Sequence, residues 1–516
     1  MSGSILKYAF IIVAVTLIGR VLGFIRNIFM SDQFGLGVES AAYFAAFTIP
    51  LALSLVIPGA INSIVIPTMK GLFIKNKEQD AILLYHKMFT VISLFFIFLS
   101  ILAVIFADSI ITILVPDFTG YTHELTVELF KVMIPSSLFI GLMGLFSSML
   151  NVHNEFFVSS FGSVINSLII IASFFIFVPY MGIHGLALGT LLGFIGFAFI
   201  MVPSLYRKKY TFRFNLALKD PLIKSMGERL VPIMIGSTIS QLTMFLERFF
   251  VSQVGEAKLS ALVYANQIMQ LPMAIFVGAF TLPLFPLLSE YVKSNELKKM
   301  REVLEKGLLY LIIFLLPVTL GLIMLSVETC ALVYERGKFT PDDTRITAIA
   351  LIFYSVGLLG LACRDLITRA FYALEDTKTP VSIGVVTIIL YIVFAIVLMP
   401  VLNHGGIALA ASLAAFSNTF ILGLLLRRKM GWSLLSSTFY KTLGKSFVAT
   451  AMMGVVIWYG KGILEFMPNW LTLTVLVGGG AGIYFILLII LKEKLVWEIF
   501  DRIKEKVGEK KAATKE

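Results

Sequence analysis

The chain has 516 residues, of which 58% are hydrophobic and 14% charged, and its mean hydropathy is +0.93. Soluble domains are about one quarter charged, so this chain has too little polar surface to cover a water-soluble globule. The composition excludes a soluble enzyme, a disulfide-stabilised secreted domain and a disordered chain. The formal net charge of +11 would indicate nucleic-acid binding in a soluble protein. Here the bases lie in loops between apolar segments, so no nucleic-acid partner is expected.

Fourteen apolar segments are long enough to cross a bilayer, which takes about 20 residues of helix. They are continuous runs, not the alternating ten-residue segments of a β-barrel. The first is too long and too apolar to be a cleaved signal peptide. The sequence therefore predicts an all-α polytopic membrane protein. The predicted spans are 8–30, 40–68, 85–107, 126–150, 157–178, 184–203, 229–253, 261–289, 307–328, 345–373, 381–400, 405–426, 442–460 and 470–491.

Basic residues are concentrated in alternate loops, such as 207–224 and 293–306, and are sparse in the others. Since cytoplasmic loops carry the excess of Lys and Arg, both termini are expected in the cytoplasm. Residues 493–516 combine many bases with apolar positions at helical spacing, Leu495, Ile499 and Ile503. This favours a cytoplasmic amphipathic helix on the inner leaflet. A solvated tail beyond Val507 is the alternative.

Pieces of the first six spans recur in the next six. Arg26 matches Arg248 and Pro50 matches Pro272, each 222 positions later, and Gly185-Leu-Ala-Leu matches Gly406-Ile-Ala-Leu at a spacing of 221. An even number of spans per repeat predicts two parallel six-helix lobes. The predicted division is an N-terminal lobe at 1–215, a C-terminal lobe at 216–430, two extra helices at 431–492 and the tail.

Two parallel bundles are typical of alternating-access transporters. A static membrane scaffold with an old duplication is the alternative. The sequence contains no Walker loop, zinc motif or nucleophile elbow. The sequence therefore favours a transporter that is not an enzyme, with a membrane glycosyltransferase as a further non-transport alternative.

Charged residues inside predicted spans require a reason, because each costs at least about 2.5 kcal/mol to insert. Arg20 lies deep in span 1 and Arg26 further along it. Guanidinium groups bind phosphates through two parallel hydrogen bonds, so both are candidate ligands of an anionic group. Bonding to carbonyls of broken helices is the alternative. Glu247 could bind a coupling cation or proton, or simply pair with Arg248.

Prolines punctuate span 2 (Pro50, Pro58, Pro67) and span 8 (Pro272, Pro283, Pro286), which predicts broken helices lining a cavity. Polar side chains accompany them. Spans 1, 2, 7 and 8 are therefore expected to form the central cavity. The polar candidates are Asn62, Ser63, Asn266, Gln267 and Gln270.

Several motifs resemble those of one family. Gly19-Arg-Val-Leu-Gly-Phe-Ile-Arg-Asn, Ala45-Ala-Phe-Thr-Ile-Pro, Tyr264-Ala-Asn-Gln-Ile-Met-Gln-Leu-Pro, Gly337-Lys-Phe-Thr and Asp376-Thr-Lys-Thr-Pro are similar to segments of MurJ/MviN proteins. These are lipid II flippases of the MOP exporter superfamily. The resemblance covers nearly the whole chain.

The resemblance implies a bacterial inner-membrane flippase that moves a lipid-linked diphosphate saccharide, the peptidoglycan precursor lipid II, to the outer leaflet. It implies a cationic cavity in which Arg20 and Arg26 bind the diphosphate. It also implies a groove for the lipid tail, formed by helices 13 and 14. No cofactor is expected beyond a coupling ion, Na⁺ or H⁺, or the membrane potential, and the expected partners of the monomer are the cargo and membrane lipids.

The chain also departs from the family pattern. Asn27 replaces an acid that usually follows the arginine, and Gln267 replaces an arginine of span 8. These changes keep open a flippase for another lipid-linked polysaccharide unit. A drug or cation antiporter of the same superfamily is a further alternative.

Overall fold

The computed structural model describes residues 2–216, 220–431, 435–464 and 466–498, with the side chains before Val15 and those of residues 16 and 282 outside the description. Within these ranges the regular elements are twenty helices and there is no strand. Their bounds are α1 (Ser2–Phe34), α2 (Val38–Ile74), α3 (Glu78–Ile105), α4 (Ala107–Leu114), α5 (Gly120–Met133), α6 (Ser136–Val152), α7 (Phe156–Ile176), α8 (Val178–Met181), α9 (Ile183–Arg207), α10 (Pro221–Ile239), α11 (Leu242–Ser252), α12 (Glu256–Lys293), α13 (Leu297–Met324), α14 (Ser326–Tyr334), α15 (Pro341–Val356), α16 (Leu358–Ala373), α17 (Lys378–Leu402), α18 (His404–Met430), α19 (Ser437–Ile463) and α20 (Asn469–Ile490).

Twelve spans in the described residues are long and apolar enough to cross a membrane. The pairs α5–α6 and α15–α16 count as one span each, and α10 with α11 makes a thirteenth despite a 42° bend between them. The first predicted span lies on α1, part of which falls outside the described side chains. The all-helical, multi-pass class is confirmed, and the count of fourteen stays a prediction.

The prediction that prolines break spans 2 and 8 is wrong. The helix α2 continues through Pro50, Pro58 and Pro67, and α12 continues through its three prolines. A proline removes one backbone hydrogen bond, whereas ending a helix in an apolar environment leaves several polar groups unpaired. A break with a bend of 42° lies in span 7, between Ile239 and Leu242.

The chain forms two compact units. Unit 1 comprises Met1–Val263 and Arg336–Thr340, and unit 2 comprises Tyr264–Glu335 and Pro341–Glu516. This division follows spatial contacts and falls within α12, so it places α10 and α11 in unit 1. The predicted lobe boundary after residue 215 follows the sequence repeat instead, and it stays a prediction.

Local turns recur in the two units at the spacing of the repeat. Asn76 and Asn295 adopt left-handed conformations with φ of 56° and 58°, and Gly182 and Asn403 do so with φ of 54° and 53°. A Cβ on Gly185 would lie 2.6 Å from the Phe177 carbonyl carbon. A Cβ on Gly406 would lie 2.4 Å from the Leu398 carbonyl oxygen. The same backbone approach therefore follows the same turn in each unit.

The predicted tail at 493–516 lies mostly outside the described residues. Its described part ends at Glu498, where Leu495 and Val496 are buried. The amphipathic character beyond that point stays a prediction.

Candidate substrate-binding site

Arg20 lies on an exposed face of α1 in unit 1, beside Leu17, Ile18 and Val21, which are about half exposed. On the adjoining face, a Cβ on Gly19 would meet the Ser163 hydroxyl of α7 at 3.0 Å. Within the described residues Arg20 makes no hydrogen bond or ion pair. Its guanidinium is thus exposed and not sealed in dry packing.

Arg26 is half-buried, and its guanidinium carbon lies 5.7 Å from the centroid of the Phe47 ring of α2. This distance is within the range of a cation–π interaction. The adjacent Asn27 is buried, at 3% exposure.

Arg248 is the most buried guanidinium of the candidate region, at 7% exposure. Its Nε donates a hydrogen bond to Thr48 Oγ1 at 3.3 Å, and its Nη1 lies 3.1 Å from Oε1 of Glu247. A buried charge is tolerated when it is paired and hydrogen-bonded. Glu247 was predicted either to bind a coupling ion or to pair with Arg248. The structure contains the pair, and the coupling role stays a prediction.

Arg26 and Arg248 both contact the helix α2 of unit 1. Arg26 packs on Phe47, and Arg248 bonds to the neighbouring Thr48. Arg26 and Arg248 are also repeat-related in sequence. No hydrogen bond or ion pair in the described part of unit 1 joins Arg20 to this cluster.

Asn62 and Ser63 lie further along α2. Oδ1 of Asn62 accepts a hydrogen bond of 2.6 Å from the Ser148 hydroxyl of α6. The exposed Ser63 donates to the Ala60 carbonyl at 2.7 Å. Asn62 therefore ties α2 to α6 through one of its polar atoms.

The remaining candidates lie on α12 in unit 2. Asn266 and Gln267 are half-buried and Gln270 is exposed. Nε2 of Gln270 donates to Oδ1 of Asn266 at 3.5 Å, a long contact one turn apart. These amides form a polar stripe on one helix.

Unit 2 also contains an apolar cavity of about 290 Å³ that extends from α12 and α13 to α19 and α20. The Tyr484 hydroxyl at its wall donates to the Ile313 carbonyl at 2.7 Å, which satisfies a buried polar group. The resemblance implies a groove at helices 13 and 14, which correspond to α19 and α20, whereas the contribution of α12 and α13 to the cavity was not predicted from the sequence. The glycines among its lining residues are a signal of open space. Representative lining residues are Phe276, Phe314, Gly321, Met453, Ile457, Gly480 and Tyr484.

Comparison with known proteins identifies the family. The profile of the family described as "Lipid II flippase MurJ" matches residues 30–509. A probable lipid II flippase MurJ from Rickettsia prowazekii is 31% identical over 427 residues, which cover 82% of this chain and 83% of that protein. One from Vibrio cholerae is 26% identical, over 96% of this chain and 98% of that protein.

Solved structures agree with this assignment. The structure of a lipid II flippase MurJ in an inward closed conformation has a TM-score of 0.80 at 26% identity, covering 94% of this chain and 99% of that chain. An inward-facing MATE family transporter of the MOP superfamily has a TM-score of 0.69 at 14% identity, covering 82% of this chain and 98% of that chain, and shares the fold alone. The chain thus belongs to the lipid II flippase MurJ family.

Proposed function

We propose that this protein flips lipid II, an undecaprenyl-diphosphate-linked saccharide, from the inner to the outer leaflet of the bacterial inner membrane. The observation that carries the proposal is the family match over residues 30–509. The protein acts as a transporter by alternating access and carries out no chemical conversion of its cargo.

In this proposal, Arg20 and Arg26 bind the diphosphate. The exposure of Arg20 and its lack of an ion pair within the described residues support this role, because an unpaired guanidinium presents its full set of donors. Arg26 retains a half-exposed side chain on Phe47. The polar residues proposed to complete the cargo site are Asn27, Asn62, Ser63, Asn266, Gln267 and Gln270.

The lipid tail is proposed to occupy the apolar cavity of unit 2, which has α19 and α20 among its walls. An isoprenoid chain has no hydrogen-bonding groups, and the cavity presents almost none, since the Tyr484 hydroxyl is already bonded. Burial of apolar area is then the main attraction between the cavity and the tail.

The architecture proposed for this function has fourteen spans, in two parallel six-helix lobes (1–215 and 216–430) and two extra helices (431–492). Both termini lie in the cytoplasm, and one chain is the working unit. The recurring turns at Asn76 and Asn295, and at Gly182 and Asn403, support the duplication. The alternation of basic loops supports the orientation.

Glu247 is the proposed coupling residue, with Na⁺ or H⁺ as the ion. Its pairing with Arg248 means that an ion can act there only by competing with the guanidinium. Replacement by Gln keeps a hydrogen-bond acceptor and removes the charge. Flipping by the Glu247→Gln variant should therefore lose its dependence on the coupling ion, whereas unchanged dependence would place coupling elsewhere.

A second candidate cargo is another lipid-linked saccharide. The neutral Asn27 and Gln267, at positions where the resemblance leads one to expect charges, favour it. The test of function is depletion of the protein in its native cell, followed by identification of the lipid-linked intermediate that accumulates on the inner leaflet. Accumulated lipid II supports the first candidate, a different saccharide supports the second, and no accumulation contradicts both.

A further inference from the structure

Unit 2 contains a second, highly charged pocket of about 640 Å³. It lies where the first turns of α13 and α19 meet the segment that follows α20. Seven Lys or Arg residues and four Glu residues line it. Under the proposed orientation, this is the cytoplasmic end of these helices.

The two buried carboxylates of the pocket are already satisfied. Glu493, at 3% exposure, accepts a 2.9 Å hydrogen bond from the Thr442 hydroxyl and pairs with Lys445 at 3.2 Å. Glu305, at 8% exposure, accepts a hydrogen bond from Ser436 and lies 3.9 Å from Arg301. These acids hold the walls together, and a third acid of the pocket, Glu498, pairs with Lys306 at 3.4 Å.

Four lysines in the pocket, Lys298, Lys441, Lys492 and Lys494, make no ion pair within the described residues. Nε of Arg301 is buried and likewise has no hydrogen-bond partner there. Unpaired like charges around one cavity repel each other, and a buried donor without an acceptor is costly. An anion with several acceptor oxygens would relieve both costs.

The surroundings indicate a membrane interface. Tyr440, at 61% exposure, and Trp497, at 46%, lie next in sequence to pocket residues. Exposed Tyr and Trp are enriched at the level of lipid headgroups. Along α19, Lys445 lies eight residues before Met453 of the apolar cavity, a rise of about 12 Å. The charged pocket and the apolar cavity are therefore adjacent along α19, as the headgroup and the acyl chain are in a lipid.

We propose that this pocket binds the phosphate of an anionic phospholipid headgroup, at a site separate from the cargo arginines. Basic pockets between membrane helices on the cytoplasmic side suit such headgroups. The inference does not depend on the identity of the cargo, because the binding is measured without cargo.

The test is a native mass spectrometry titration of the purified full-length protein with phosphatidylglycerol, phosphatidylcholine or inorganic phosphate. Wild type should bind phosphatidylglycerol more tightly than phosphatidylcholine. The K441Q/K494Q variant should bind phosphatidylglycerol about thirtyfold more weakly, since each base near the surface adds to the attraction. The matched control K293Q/R428Q removes two exposed bases outside the pocket and should stay within about twofold of wild type.

A gain-of-binding variant guards against misfolding as an explanation. Glu302 is an exposed pocket residue with no ion pair in the described part of the chain, so Glu302→Gln should tighten phosphatidylglycerol binding about fivefold. Equal losses in K441Q/K494Q and in the control, or no preference over phosphatidylcholine, would overturn the proposal. Displacement of the lipid by an equal concentration of inorganic phosphate would overturn the lipid assignment and indicate a site for soluble phosphate.

Discussion

Lys429 donates a hydrogen bond to Oδ2 of Asp376 at 2.7 Å and so joins the last turn of α18 to the turn before α17. The equivalent pair in unit 1, 221 positions earlier, is Lys208 with Glu155, at 3.0 Å. The acids follow residues with left-handed backbone, Glu375 and Asn154, at φ of 59° and 62°. The turn and the ion pair therefore recur together in unit 1 and in unit 2.

The Asp376 pair should make stability depend on acidity. The hydrogen bond from Lys429, followed by that from the Thr379 backbone N–H, lowers the pKa of Asp376 to about 2. Because the folded pKa lies below the unfolded value of about 3.9, the stabilisation is present above pH 4 and is lost as pH falls from about 4 to 2. Thermal unfolding across this window should show a smaller decline for Asp376→Asn than for wild type.

Two further variants separate charge from capping in that pair. Asp376→Ala also removes the acceptor for the Thr379 N–H and hydroxyl, so it should cost about 1 kcal/mol more than Asp376→Asn. Asp342→Asn removes a highly exposed carboxylate and should match wild type. An unchanged acid profile in Asp376→Asn would show that the pair contributes nothing.

Arg20→Ala should reduce flipping without affecting folding. A hydrogen bond to a charged group contributes about 1.5–3 kcal/mol, so the flipping rate should fall about tenfold to hundredfold. Stability should change by less than about 0.5 kcal/mol, since the exposed side chain has no partner in the described residues. Complementation of a depleted strain and the membrane level of the variant are the measurements.

Arg345→Ala is the matched control for Arg20, because Arg345 is an arginine that is 76% exposed at the start of α15. It should complement fully. Full complementation by the Arg20→Ala/Arg26→Ala double variant would refute the anion site.

Arg248→Ala should destabilise the protein by about 3 kcal/mol, because removing one partner of a buried ion pair leaves the other charge unpaired. Its repeat equivalent Arg26→Ala should cost about 1 kcal/mol, the loss of a cation–π contact. Unfolding in detergent measures both. The Glu247→Ala/Arg248→Ala double variant should lose less than the two single losses combined, and strict additivity would argue against the coupling.

Gly321→Leu should block the apolar cavity. Gly321 lines the cavity, and a Cβ there would meet nothing within 4 Å, so a larger side chain can enter the space. Flipping should fall, while stability should rise by up to about 1 kcal/mol because Leu favours helix over Gly. Gly482→Leu is the control: Gly482 lies on the exposed face of α20, so this variant gains the same helix propensity and should flip normally. Normal flipping by Gly321→Leu would exclude a role for the cavity.

The sequence predicted some of the candidate site and missed other parts for a physical reason. Arg20 and Arg26 stand out because charge inside an apolar run is costly wherever the helix packs. The hydrogen-bond partners of a side chain cannot be predicted in this way, because they can lie far away in the chain. Thr48, which accepts the hydrogen bond from Arg248, lies 200 residues from it. The broken helices expected at Pro50 and Pro272 were wrong, because neighbouring backbone bonds in apolar surroundings preserve the helix.

Span length, loop charge and motif order are properties of consecutive residues. The sequence by itself therefore determined the helical membrane class and the family. Only the tertiary structure decided that Arg20 is exposed while Arg248 of α11 is buried against α2, and that lysines from α13, α19 and the segment after α20 surround one pocket. Such facts depend on which helix faces pack together, and that packing is set jointly by side chains far apart in the chain.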